Sequence, residues 1–379
     1  MKDNHIPYGK QYIDKEDLKS IVAVLKSDFI TQGPKIEDFE NRVTGYCGAK
    51  YAVAVSSGTA ALHIACLAAG IKLGDEVITS PISFVASANC VLYCSGKPVF
   101  ADIQEDTVNI NPTEIEKKIT KRTAAVIPVD FAGHPCDLGE IQKIAKRHNL
   151  MVIEDACHAL GAEYRGTRIG SCDFSDMTVF SFHPVKHITT GEGGMVLTNR
   201  KDLYKKLITL RNHGIVRSRA DLLNKNEGSW YYEMQDLGFN YRITDFQCAL
   251  GISQLEKLER FIKRRRQIAD KYHKELSKIS ALTLPVEKDY IKSSWHIYVI
   301  RVNRKREKIY NELSKKRIGV NVHYRPIYLH PFYKRLGYKE GLCPKAERYY
   351  REALTIPLYP KMSKQEVNYI VAKLKENLG

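Results

Sequence analysis

Along the first 250 residues, short apolar runs rich in β-branched side chains alternate with longer amphipathic stretches. Tyr51–Val55 reads as a strand, and residues 60–69, just past Gly58-Thr59, as a helix. Glu76–Thr79 and residues 98–101, 123–129 and 150–153 are further strand-like runs, with helical spacing over 114–119 and 138–148 between some of them. Met177, Val179 and Phe180 lead into a glycine-rich loop that ends in a short strand over 195–198. Upstream, Asp14 can cap a helix whose apolar face is Leu18, Ile21, Val22 and Leu25. This alternation predicts an α/β fold with a mostly parallel sheet over residues 1–250, the N-terminal segment included. The pattern then fades. A helix near 245–258, a long charged helix over 254–277, a strand over 296–302, a helix over 305–316 and a final helix from Ser363 predict a smaller α+β part over 251–379.

Two stretches without Asp, Glu, Lys or Arg, residues 51–71 and 77–96, are long enough to span a membrane. Ser56-Ser57-Gly58-Thr59 interrupts the first, and Pro81, Ser83, Ser87 and Asn89 the second. Strand–turn–helix units of a buried core account for both, so no membrane partner is expected. The run of residues 1–5 opens no apolar leader, and nine cysteines without paired spacing fit buried free thiols, among them Cys66, Cys90 and Cys248, in a reducing cytoplasm. Cys90 and Cys94 have no His or Cys nearby to complete a zinc set, and no metal site is expected. The net charge of +16 raises the question of an anionic partner. Basic residues are scattered, and the densest run, Lys263-Arg264-Arg265-Arg266, reads as the solvated face of a helix. No nucleic-acid motif accompanies it. A phosphorylated or nucleotide-linked substrate suits the surface better.

Candidate chemistry centres on Lys186, in Ser181-Phe182-His183-Pro184-Val185-Lys186 ahead of Glu192-Gly193-Gly194. Such a lysine is a solvated loop residue or, where burial lowers its pKa, a Schiff-base nucleophile. Four other features bear on the choice. The Ser57-Gly58-Thr59-Ala60 turn opens a helix whose free N–H groups favour a phosphate. Asp155, after an apolar strand, can cap a helix or pair with a cationic ring nitrogen. Phe84 ends a strand, where it can pack in the core or stack on a cofactor ring. Gly238-Phe239-Asn240-Tyr241-Arg242 sets polar residues between apolar flanks, suited to a site or an interface. Phosphate turn, stacking aromatic, carboxylate and lysine together are what a pyridoxal phosphate site requires.

These motifs, with Tyr8, Ile30-Thr31-Gln32-Gly33, Glu154-Asp155, His158 and His323-Tyr324-Arg325-Pro326, resemble the DegT/StrS sugar aminotransferases over essentially the whole chain. The resemblance implies a fold type I pyridoxal-phosphate transferase, with the cofactor in the 1–250 part. It implies a Schiff base on Lys186, pairing of Asp155 with the pyridinium nitrogen, and Phe84 stacked on the ring. Thr59, Ala60 and Ser181, with Gly58 in the same turn, would hold the phosphate, joined by Asn240 from a second subunit of a homodimer with shared sites. His158 stands where many members carry Gln, and would face the 3′-oxygen. Tyr8, Asp28, Phe29, Ile30, Thr31, Ser57, Ser181, His323 and Tyr324 match positions near the nucleotide-sugar. Within the family, Pro81–Ala86, residues 129–133 and residues 322–328 are most similar to transaminases of pseudaminic acid biosynthesis. These aminate a UDP-linked 4-keto-6-deoxy-N-acetylhexosamine, with L-glutamate as donor and the pyridoxamine form between half-reactions. Another UDP- or dTDP-4-ketosugar is the alternative substrate, and a non-catalytic basic binding protein on the same fold the alternative function. Related dehydratases carry His at the lysine position, and Lys186 argues against them.

Overall fold

A computed structural model of the chain describes residues 5–303 and 305–378; residues 1–4, which carry most of the run read for a leader, lie outside the described residues. Seven short strands form the central sheet: β1 Tyr51–Val55, β2 Glu76–Thr79, β3 Lys97–Phe100, β4 Thr123–Ile127, β5 Met151–Asp155, β6 Met177–Ser181 and β7 Gly194–Thr198. They lie in the order β1-β7-β6-β5-β4-β2-β3. Only β7 runs against its neighbours, so six strands share one direction. Most strand residues are buried, as expected for a sheet covered on both faces. Because β1, β2, β5 and β6 are co-directional, the residues at or just past their carboxyl ends (Ser57, Ser80, Asp155 and Ser181) emerge along one edge.

Helices α1 Lys15–Leu25, α2 Gly58–Ala68, α3 Ala86–Tyr93, α4 Asp245–Leu255 and α5 Leu258–Leu276 frame this sheet and the region after it. The two uncharged stretches resolve into β1 with α2 and β2 with α3. Among the described residues, no helix is long and apolar enough to cross a membrane.

Three expectations need correction. Helix α1 is capped by Asp14 through a capping box with Asp17, but its apolar face does not enter the core. Leu18, Val22 and Leu25 are 57%, 47% and 55% exposed, whereas Asp17 and Val24 are buried. The cause is polar. Asp17 accepts from the Ser253 hydroxyl and the Gln254 amide, and Ser20 donates to the Ala249 carbonyl, so the Asp17–Ser20–Val24 stripe faces α4. The long helix over 254–277 is broken at Glu256–Lys257. There Lys257 N–H closes onto the Gln254 carbonyl, and Lys257 Nζ reaches Asp17 at 2.8 Å. Finally, the 263–266 run is not a solvated face. Arg265 is 1% exposed and donates to the carbonyls of Trp295, His296 and Leu358, while Arg264 and Arg266 reach Met362 O and Glu287.

The C-terminal part carries an antiparallel sheet of β8 Leu282–Thr283, β9 Tyr298–Val302 and β10 Ala353–Ile356, in that order, of which β8 and β10 escaped the sequence pattern. Ile6 pairs with Ile318 and packs in this part's core. Residues 250 and 251 are neighbours within α4, so we propose that the division between the two parts falls at the Glu256–Lys257 break.

Candidate active site

A cavity of about 700 Å³ opens over the carboxyl edge of the sheet. At its base, β1 runs into α2. Ser57 caps that helix by accepting from Ala60 N–H at 3.1 Å. Ala60 is therefore buried and its N–H occupied, while the N–H groups of Gly58 and Thr59, at the first two helical positions, have no intrahelical acceptor. Ser181, at the end of β6, lies against this turn: a Cβ on Gly58 would come within 2.8 Å of Ser181 Cβ. Glycine here keeps the hydroxyl and the helix end together as an anion cradle.

Asp155 ends β5 and is 4% exposed. Its Oδ2 accepts from the Ser87 hydroxyl at 2.6 Å, Ser87 in turn meets Ser83 at 2.6 Å, and its Oδ1 accepts from Cys157 N–H. Residues 156–161 form turns rather than an α-helix, which removes the helix-cap reading of Asp155. Lys186 sits in the wall at the end of a short turn, its N–H bonded to His183 O. Burial lowers its amine below the ordinary lysine range, partly offset by Cys157 and Asp155. Phe84 lines the same cavity and, at 58% exposed, is not a core residue.

His158 is fixed as a neutral imidazole. Burial first, then the positive charge of Lys186, drives its pKa well below the ordinary value. Ala132 N–H points at Nδ1 from 3.4 Å, making Nδ1 the acceptor and leaving the ring proton on Nε2, which faces the Tyr324 hydroxyl at 3.4 Å. The Phe131–Gly133 turn that aims this N–H has Ala132 at φ +59° and Gly133 at φ +94°. Beneath His158 lies the His296 ring, 4.3 Å between centroids. At the mouth, Tyr8 packs on His323 at 5.3 Å, and burial lowers the His323 pKa to about 4.

Tyr8, Ser57, Gly58, Thr59, Phe84, Asp155, His158, Ser181, Lys186, His323 and Tyr324 thus share one cavity. Ala60, buried behind Ser57, does not line it; nor do Asp28, Phe29, Ile30, Thr31 and Asn240, a separate group. All five are exposed, and they are close along the chain surface: Thr31 pairs with Thr244, and Asp245 N–H bonds Ile30 O. The sequence reading missed Ser87 as the partner of Asp155 and Ser83 behind it, along with Cys157, Asn321, Arg325 and His330 in the lining. The signal for the serines was present: two hydroxyls four residues apart after a strand end, in a stretch otherwise without charge.

The residues fit pyridoxal phosphate on their own chemistry, with an unfilled helix N-terminus for the phosphate, a buried carboxylate for the ring nitrogen, an exposed aromatic and a deprotonation-prone lysine. Known proteins agree. Residues 11–375 match the DegT/DnrJ/EryC1/StrS aminotransferase family. The chain is 41% identical to the spore coat polysaccharide biosynthesis protein SpsC of Bacillus subtilis, over 99% of this chain and 98% of that one. It is 39% identical to a UDP-4-amino-4,6-dideoxy-N-acetyl-beta-L-altrosamine transaminase of Campylobacter jejuni, over 96% and 95%. Among solved structures, Helicobacter pylori PseC, an aminotransferase in pseudaminic acid biosynthesis, superposes with a TM-score of 0.91 at 34% identity and 99% coverage of both chains. The putative sugar aminotransferase Spr1654 of Streptococcus pneumoniae, in its PLP-form, gives 0.91 at 31% identity and 98% coverage of both. The chain belongs to the DegT/DnrJ/EryC1/StrS family and is a pyridoxal-phosphate-dependent sugar aminotransferase.

Proposed function

We propose that this enzyme transfers the amino group of L-glutamate to C4 of a UDP-linked 4-keto-6-deoxy-N-acetylhexosamine, giving UDP-4-amino-4,6-dideoxy-N-acetyl-beta-L-altrosamine. The observation that carries the chemistry is the single cavity holding Lys186, Asp155, His158 and the α2 N-terminus. The choice of sugar is supported by similarity to the Campylobacter transaminase and to PseC.

Bound pyridoxal phosphate supplies an aldehyde that carries the amino group and a ring that accepts electrons from the adjacent carbon. Gly58 and Thr59 N–H groups, with the Thr59 and Ser181 hydroxyls, would hold its phosphate at the helix end. Asp155, oriented by Ser87 and Cys157 N–H, keeps the ring nitrogen protonated, since an adjacent negative charge favours the cation. His158 would donate from Nε2 to the cofactor, Phe84 would stack on it, and Lys186 would be its covalent anchor and the proton carrier. Its amine takes the proton from the donor's α-carbon and, in the reverse sense, delivers one to sugar C4. Tyr8, Ser57, His323 and Tyr324 face the sugar.

Asn240 and Asp28–Thr31, exposed and outside the lining of their own cavity, complete the site of a second copy, whose contact also covers the bare face of α1. The nine free thiols suit a reducing cytoplasm. The SpsC match favours a second reading, another UDP- or dTDP-linked 4-ketosugar. A glutamate-dependent assay over a panel of both, with the C4 configuration of each product determined, decides between them. Turnover confined to sugars other than the proposed one overturns the substrate.

A further inference from the structure

Glu154, beside Asp155 in sequence, points away from the cavity and has no part in the chemistry above. It is 2% exposed, and Asp130, at the end of the loop after β4, is wholly buried. Cys136 N–H donates to Asp130 Oδ1, while the hydroxyls of Ser175 and Thr178 donate to Glu154 Oε2 at 2.9 and 2.8 Å. One oxygen of each carboxyl, Asp130 Oδ2 and Glu154 Oε1, is left buried with no donor among the described residues. The parallel Val129–Asp155 pairing turns Asp130 and Glu154 to the same face of adjacent strands, which sets the two bare oxygens side by side in one buried space. Among the described residues, the ionisable groups facing them are the thiols of Cys136, Cys172 and Cys47, with Cys157 and Asp155 beyond, and none of these is a cation. Two bare anions in contact, buried and without a counter-charge, would be prohibitively costly, so one must be protonated.

We infer that Asp130 and Glu154 share a single proton, and that this hydrogen bond is the latch that positions Asp155 and His158. The charge rests on Glu154, which already accepts two hydroxyls, and the proton on Asp130, which donates from Oδ2 to Glu154 Oε1. Burial, then the neighbouring Glu154 charge, holds Asp130 well above the usual carboxylate range. The latch reaches the site through the main chain. Asp155 N–H bonds Pro128 O and Asp130 N–H bonds Asp155 O, so Asp130 grips the strand end by backbone and side chain together. Directly after Asp130 comes the turn whose Ala132 N–H sets the His158 tautomer. Both residues are positioning residues, since neither lines the cavity. The inference rests on the pyridoxal-phosphate reading only for its consequence at the cofactor.

The test uses the full-length protein, with and without cofactor. At neutral pH its infrared spectrum should contain a protonated-carboxyl C=O band that is lost in both E154Q and D130N, because the introduced amide donates the hydrogen bond and lets the remaining partner ionise. Glu154→Gln should keep pyridoxal phosphate affinity within about threefold, whereas Glu154→Leu, which strands Asp130 without an acceptor, should weaken it about tenfold or more. A wild-type spectrum without the band, persistence of the band in either amide variant, or equal loss of affinity in E154Q and E154L overturns the latch. Failure of the cofactor reading is separable: Asp155→Asn would then leave cofactor affinity unchanged with the infrared band in place.

Discussion

Lys186 is one of 59 basic residues, and only its surroundings set it apart. Burial lowers its amine pKa from the ordinary 10.5, while the Cys157 and Asp155 charges act the other way. The rate at which the cofactor-free protein captures pyridoxal phosphate, followed by visible absorbance, should therefore rise with pH to a midpoint below 10.5. In Asp155→Asn, which removes a charge that holds the proton on the amine, that midpoint should move lower still; an upward move would place the carboxylate elsewhere. Lys186→Ala should cut transamination by about 10²–10⁴-fold or more, the range for losing a general acid–base group, and abolish the covalent absorbance band. Full turnover in that variant would refute its role. The buried His323 gives a second pH effect. Its folded pKa of about 4 lies below the unfolded 6.5, so on acidification the unfolded chain takes up the proton first. Stability should fall from about pH 6.5 toward 4, by about 3 kcal/mol for this group at most. Urea unfolding of wild type and His323→Gln at pH 7 and 5 should show the variant losing less.

Elements differ in how far their own sequence specifies them. The strands β1 and β2 and the helix at 138–148 were readable to the residue, because each is a run whose period or β-branching matches its burial. For Asp155, Lys186 and Ser57–Thr59 the strand ends and turns gave only two-way readings one by one, and it was their combination that pointed to the cavity they share. What failed was side-chain direction where polar groups do the anchoring. In α1, Asp17 is fully buried and turns Leu18, Val22 and Leu25 outward, the reverse of what hydrophobic periodicity implies. In α5, Arg265 points inward to three carbonyls contributed by residues 30 to 93 positions away, a pairing no local pattern announces. Strand β10 was hidden because Ala353-Leu354-Thr355-Ile356 directly follows a helix with no Gly or Pro between. The role of Arg265 can be measured. Arg265→Met leaves those carbonyls buried without a donor and should cost about 2–3 kcal/mol in urea unfolding, after allowance for the desolvation of a guanidinium that has no carboxylate partner among the described residues. A variant as stable as wild type would mean that the buried charge was as costly as its hydrogen bonds were favourable.

At the scale of the whole molecule, the cavity of one chain holds every expected catalytic group but not every expected binding group. Asn240 is exposed and paired through its backbone to Asn212, and Asp28–Thr31 are tied to the same segment four residues on, through the Thr31–Thr244 bridge. The same surface region carries the outward side chains of α1, together with Phe29 and Ile30 at 56% and 51% exposure, an apolar surface that a lone chain would leave in water. A second copy related by a two-fold axis would cover that surface and bring Asn240 to the partner's phosphate cradle, since a two-fold contact uses the same patch on both chains. Subunit complementation distinguishes this from two self-sufficient sites. Lys186→Ala removes the proton carrier from its own cavity, and on the proposed dimer Asn240→Ala would weaken the phosphate cradle of the other. Unfolded together and refolded as an equal mixture, half the dimers carry one chain of each kind. In these, the site built on the Asn240→Ala chain has its own Lys186 and receives an intact Asn240 from the Lys186→Ala chain. Activity at limiting cofactor should therefore recover to about a quarter of wild type, well above either variant refolded alone. Recovery no greater than half the Asn240→Ala activity would show that Asn240 serves the cavity of its own chain.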